Sequence, residues 1–170
     1  KVEAKEKLHV EEKGGADIIF RVTSECPFIY MEGVPWLLQK HLESNASLSV
    51  IEGLPEGAYF ELININNLKR AHDEGESRHR SELCTLYMNE HPEKFKLQVL
   101  PAPEPYLKRP DIRITVDYPE DLIVVRELYK ALKQQGEFIR IADIIRYLDE
   151  HPALNALNNW IDAGKGRIWA

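Results

Sequence analysis

Apolar positions along this chain alternate between short strand-like runs and longer stretches with a helical repeat. Ile18 to Val22 is a nearly continuous apolar run, the pattern of a central strand in a parallel sheet covered on both faces by helices. Leu48 to Ile51, Tyr59 to Ile65 and Phe95 to Leu100 read as further strands, with Pro55-Glu56-Gly57 a turn. Val34, Trp36, Leu37, Leu38 and Leu42 fall at roughly helical spacing and predict a core-facing helix. Leu68 and Ala71 belong to a second helix capped by Asn64 or Asn66, which frays into the polar stretch from His72 to Arg80, read as a solvent loop. Ser81 to Glu90 predicts a helix with Leu83, Leu86 and Tyr87 on one face, stopped at His91-Pro92.

The chain is organised around Arg113 to Leu122. Ile112, Ile114 and Val116 bracket Thr115 as a buried strand requires, and Pro119 continues into a helix only from its first position. Tyr118 is then the N-cap and Asp117 the last extended residue. Its carboxylate can either cap locally or point off the strand end, where open α/β sheets keep their ligands. Glu120 and Asp121 fall in the first helical turn, where the helix dipole favours anions. Leu122, Val125, Leu128, Tyr129 and Leu132 continue an amphipathic helix closing near Gly136, and Asp143 to Glu150 is the next, stopped by His151-Pro152.

The ends are less patterned. Residues 1 to 13 are dominated by Lys and Glu and read as a solvated helix, and the prolines between Pro101 and Pro110 make a stiff connection suited to a subunit contact. A single α/β domain over residues 1–158 is expected, then a tail over 159–170 with Trp160 and Trp169 tucked against the body.

With 170 residues and 44% hydrophobic content, the chain can bury a real core. It lacks the ~20 successive apolar residues of a membrane span and any signal-peptide pattern, so no membrane association and a cytoplasmic location are expected. A net charge of -6 argues against a general nucleic-acid binder. Cys26 and Cys84 form neither a metal-ligand spacing nor a disulfide framework.

Four segments, in order, carry a resemblance. Arg113-Ile114-Thr115-Val116-Asp117-Tyr118-Pro119-Glu120-Asp121 resembles the Arg-x-Thr-x-Asp-x-Pro-Glu-Asp segment of cytidylyltransferases that activate acidic or surface-polysaccharide sugars. The spore-coat polysaccharide type is nearest, and the acylneuraminate and 3-deoxy-manno-octulosonate types are more distant. Ala16 to Ile29 is similar to the family's strand ending in Arg-x-Thr-Gly-Asp-Cys-Pro-Leu-Ile, and Ser81 to Met88 and His91-Pro92-Glu93-Lys94-Phe95 resemble its helix and following turn.

The resemblance implies a three-layer α/β/α Rossmann-like nucleotide-diphospho-sugar transferase fold, incomplete at the N-terminus. It implies magnesium-dependent transfer of CMP from CTP to a sugar with release of pyrophosphate, and a homodimer. Glu25 and Asp117 would hold the metal, Arg21 and Arg113 would be catalytic residues near the strand ends, and Glu61 and Glu82 would face the sugar. Departures cluster at Ser24, Glu25, Tyr30, Tyr59 and Leu83, where Glu25 replaces the family's first metal-binding Asp. The family's glycine-rich nucleotide loop has no counterpart here, and the sequence starts at Lys1. Two expectations follow: the sugar and metal side of a longer cytidylyltransferase, or a non-catalytic, degenerate relative kept for dimerisation or partner binding. In either case the metal site should be mostly empty without CTP phosphates.

Overall fold

The computed structural model describes residues 15–81, 83–133 and 138–161. The helix expected over 1–13, Glu82, the closing Gly136 and Trp169 lie outside the described residues.

Four strands form one mixed sheet in the order β1-β3-β2-β4. They are β1 (Ile18–Arg21), β2 (Leu48–Glu52), β3 (Glu61–Asn64) and β4 (Leu97–Pro101). β2 and β4 run parallel, whereas β3 is antiparallel to both β1 and β2. The helices are α1 (Val34–Ser44), α2 (Ile65–Glu74), α3 (Leu86–Glu90), α4 (Pro119–Leu132), α5 (Ile141–Glu150) and the short α6 (Pro152–Asn155).

Period-two alternation sorts the strand side chains into two cores. Leu48, Val50 and Ile63 face one, closed by Leu68 and Ala71 of α2, Tyr87 and Met88 of α3, and Phe95. Ile51 and Leu62 face the other, closed by Leu37 of α1, Val124 and Leu128 of α4, and Ile144 and Leu148 of α5. A helical layer therefore covers each face of the sheet, as the three-layer expectation requires. Local signals place the ends: the Asn64 side chain accepts from Asn67 N at 3.1 Å to cap α2, and Asn45 ends α1 in the left-handed region at φ 50°.

Several elements differ from expectation. β1 is an antiparallel edge strand of the described sheet, with Phe20 and Val22 at 40% and 44% exposure, because an apolar run alone does not distinguish a doubly covered strand from an edge. Ile112 to Val116 is not a ladder strand; it makes one bridge, Arg113 to Glu56, while Ile112 and Ile114 are fully buried. The buried stripe of α4 is Asp121, Val124, Val125 and Leu128, which leaves Leu122 and Tyr129 half exposed. Leu42 is exposed at the end of α1, and Trp160 is exposed rather than tucked. α3 begins at Leu86, so Leu83 precedes the helix.

The polar stretch after Ala71 is also more ordered than a solvent loop. α2 runs to Glu74, and His79 is buried. Nδ1 of His79 accepts from Glu76 N at 2.8 Å, which leaves the ring proton on Nε2 facing Glu90 Oε2 at 2.9 Å. Arg78 grips both oxygens of Glu90 at 2.7 Å.

Hydrogen bonds from Arg78 and His79 hold the Glu90 carboxyl at about 2 instead of its usual 4.5, and those from Arg70 and Lys94 do the same for Glu74. A carboxyl whose folded-state value is depressed contributes stability above its unfolded value and loses it as pH falls through the folded one. Thermal melts should therefore change little down to about pH 4.5 and then decline toward pH 2, with a shallower decline in Glu90→Gln. An identical acid profile in the variant would contradict this.

Candidate functional site

A cavity of about 200 Å³ opens beside the carboxyl end of β1. It is smaller than the ~300–1,000 Å³ of drug-sized ligand sites, so it suits one compact group such as a sugar ring. Its floor comes from a cross-strand pair. Antiparallel register sets Arg21 of β1 opposite Glu61 of β3, and the two form a direct ion pair. Thr85 Oγ1, fully buried, donates to Glu61 Oε1 at 2.9 Å. Both Glu61 oxygens are thus satisfied at 3% exposure, although burial pushes the Glu61 carboxyl upward against the pull of Arg21 and Thr85.

One wall is the turn after β1. Cys26 N donates to Thr23 O at 3.2 Å, closing the turn that carries Glu25. Its backbone is clipped to the central segment, with Val116 N donating to Glu25 O at 2.9 Å and Thr115 Oγ1 to the same oxygen at 3.3 Å. Burial pushes the Cys26 thiol up, so it is a packed thiol beside Thr23 and Thr115 and not an activated nucleophile. The Glu25 carboxylate makes no hydrogen bond or ion pair among the described residues and acts on Arg21 only through space.

The facing wall is the turn Pro55-Glu56-Gly57. Glu56 N donates to Ile112 O at 2.8 Å and Ile114 N returns to Glu56 O at 2.7 Å, which seats the turn against the central segment. Only glycine fits at position 57: φ is +94° and a Cβ there would meet Thr115 N at 2.4 Å. Tyr59 stiffens this wall by donating its hydroxyl to Leu54 O at 2.7 Å.

Behind the walls sits Arg113, 3% exposed and absent from the cavity lining. Nε and Nη2 grip Asp121 Oδ1 and Oδ2 at 2.8 and 2.9 Å, Nη2 also reaches Asp117 Oδ2 at 2.6 Å, and Nη1 meets Glu56 Oε1 at 2.8 Å. Asp121, fully buried, further accepts from the N–H groups of Asp117 and Tyr118, both at 3.0 Å, so it caps α4. Burial alone would raise its carboxyl; the donors from Arg113, Asp117 N, Asn158 and Tyr118 N outweigh that and hold it below the usual range.

Arg21, Glu25, Glu61 and Asp117 therefore line one cavity, while Glu82 lies outside the described residues. Arg113 stands elsewhere, because its charge is consumed by three carboxylates before it can reach a ligand. Nor is Asp117 an unattached strand-end carboxylate. One oxygen is paired with Arg113, and the side chain is still 46% exposed. Asp121, assigned by spacing to the helix dipole alone, is the centre of the cluster. Thr85 stood inside a matched segment and Glu56 in an expected turn, neither with a role assigned, and Asn158 had no local signal at all.

Asn158 is fully buried, and its Nδ2 donates to Asp121 Oδ1 at 2.9 Å and to the Arg113 carbonyl at 3.1 Å. The segment after α6 thereby clasps the cluster from behind. Asn158→Ala leaves two buried acceptors short of a donor and should lower stability by about 1–3 kcal/mol in urea denaturation, whereas exposed Asn159→Ala should stay within about 0.5 kcal/mol. Equal effects of the two variants would remove the clasp.

Comparison with known proteins places this geometry. The chain is 30% identical over 149 residues to an uncharacterized protein of Methanocaldococcus jannaschii, covering 84% of this chain and 58% of that protein. It is 27% identical over 136 residues to the spore coat polysaccharide biosynthesis protein SpsF of Bacillus subtilis (strain 168), covering 79% and 56% respectively. The chain thus spans little more than half the length of these curated relatives. The structure of a cytidylyltransferase from Leptospira borgpetersenii serovar Hardjo-bovis has the same fold, with a TM-score of 0.80 at 19% identity over 94% of this chain and 66% of that one. A model of the family described as cytidylyltransferase matches residues 2–145, which takes in both walls, the Arg21–Glu61 floor and the Arg113 cluster, and the chain belongs to that family.

Proposed function

We propose that the full-length protein transfers CMP from CTP to a sugar destined for a surface polysaccharide or related glycan, with release of pyrophosphate. The observation that carries this reading is that Glu25 and Asp117 line one sugar-sized cavity together with the Arg21–Glu61 pair. Family membership and the likeness to SpsF support nucleotidyl transfer as the reaction class.

In such a reaction a sugar hydroxyl attacks the α-phosphorus of CTP, the bond to the β-phosphate oxygen breaks, and pyrophosphate leaves. The protein's share is chiefly positioning and charge. Arg21 and Glu61, with Thr85 behind them, fix the floor so that a bound ring meets a rigid polar surface. Glu56 and Asp117 are both held in place by Arg113. Apolar Val50, Phe60 and Leu83 shield the cavity from water.

The donor set fits magnesium, which takes one or two carboxylates and fills its remaining positions with waters and phosphate oxygens. Glu25, with no bonded partner among the described residues, and the exposed side of Asp117 are the residues that would hold it. The described residues contain no group of three or more His, Cys, Asp or Glu able to cage a metal, so binding is expected to depend on CTP. When bound, the ion supplies neutralisation of the phosphate charge. A homodimer and a cytoplasmic location remain part of this reading.

Asp117→Asn keeps an acceptor for Arg113 and removes a negative charge from the cavity. In the full-length protein it should lower pyrophosphate release from CTP and sugar by at least about a hundredfold, about 3 kcal/mol of transition-state stabilisation, while the circular dichroism spectrum shows the fold retained. Unaltered turnover would contradict the reading and favour a non-catalytic role for the fold.

A further inference from the structure

A second groove, of about 560 Å³, shares no lining residue with the cavity described above and falls within the ~300–1,000 Å³ of ligand-sized sites. One side is Phe28, Ile29 and Met31, in the segment that follows the Glu25–Cys26 turn. The other is α4. Val125 belongs to the buried stripe of that helix, so Arg126, Tyr129 and Lys130, at one, four and five residues further on, stand along its shoulder and reach over the groove. Nucleotidyl transfer makes no use of this surface.

The charge here is opposite to that of the chain as a whole. The net charge of the sequence is -6, yet none of the described residues lining the groove is Asp or Glu. Lys130 is neutralised by Glu127, which accepts from its Nζ at 2.6 Å. Arg126 is exposed and has no bonded partner among the described residues. Lys133 adds a further positive charge beside the groove, its Nζ 5.3 Å from the centre of the Tyr129 ring. The rest of the lining is apolar or aromatic, with Tyr129 at 48% exposure.

An apolar concavity with one unpaired guanidinium on its rim matches a molecule that is apolar over most of its length and carries a single negative charge at one end. We propose that this groove binds an amphipathic carboxylate, its apolar body against Phe28, Ile29, Met31 and the Tyr129 ring and its head paired with Arg126. Met31, whose unbranched thioether adapts to irregular shapes, lets the wall follow a flexible chain. A second copy of this chain fits less well, because a two-fold contact centred on the groove would bring the Arg126 side chains of both copies together. A bilayer fits less well too, since Phe28, 5% exposed, lies in a recess that a flat surface does not enter.

The sequence holds two methionines, Met31 in the groove and Met88, fully buried in the core on the opposite face of the sheet. NMR of the methionine methyl groups during titration of the chain with sodium decanoate therefore reads the site and an internal control together. Decanoate should shift the Met31 methyl and leave Met88 in place. Acetate, the head without the chain, and decyltrimethylammonium, the chain with the opposite charge, should each bind at least about tenfold more weakly. Arg126→Gln should weaken decanoate binding about tenfold, added salt should weaken it in the unaltered chain, and Tyr129→Ala should weaken it by removing part of the apolar wall. Equal binding of decanoate and decyltrimethylammonium, decanoate binding unmoved by Arg126→Gln, or Met88 shifting in step with Met31 would overturn the proposal. So would a Met31 shift produced by raising the chain concentration alone, which would assign the groove to a second copy, or one produced by phosphatidylglycerol vesicles and not by decanoate, which would assign it to a membrane surface.

Discussion

A guanidinium taken out of water must be matched where it sits, and Arg113, 3% exposed, is matched by Asp121, Asp117 and Glu56 from three different directions. Removing one partner of such a buried pair costs about 3–5 kcal/mol, because the other is left charged and dry. That constraint fixes more than a side chain. Glu56 belongs to the turn between β2 and β3, Asp117 to the end of the extended segment, Asp121 to the first turn of α4, and Asn158 to the chain after α6. Three parts of the sequence are held in one place by one cation, and a fourth is tied to its partner Asp121.

The consequence for the site is a division of labour between two arginines. Arg113 is spent on the frame, and by fixing Glu56 and Asp117 it sets the cavity walls without entering the cavity. Arg21 lines the open space but is bound to Glu61, so it gives the floor rigidity and little net charge. What remains for a ligand is an acidic rim with an apolar patch.

Much of this was legible in the sequence because it is local. The strand at Leu48, the Asn64 cap, the turn at Gly57 and the start of α4 at Pro119 each have short-range causes, namely β-branched runs, an amide acceptor, a positive φ and a fixed proline φ. Arg21, Glu25, Glu61 and Asp117 were found by motif resemblance and do converge on one cavity. What escaped was set by distant partners. The apolar run at Ile18 carries no mark of whether it lies at the centre or the edge of a sheet, and its antiparallel pairing depends on β3, some forty residues on. Spacing placed Asp121 in a helical turn but could not reveal the guanidinium and amide that bury it, and nothing around Asn158 distinguishes it from its exposed neighbour Asn159.

The central claim is that Arg113 and Asp121 act as one buried unit on which the site is built. A double-mutant cycle on this chain, with Arg113→Met, Asp121→Asn and the pair compared by urea denaturation, measures their coupling directly. A coupling energy above about 2 kcal/mol, with the double variant much less destabilised than the two single losses together, is the predicted result. Additive losses, with coupling near zero, would contradict it.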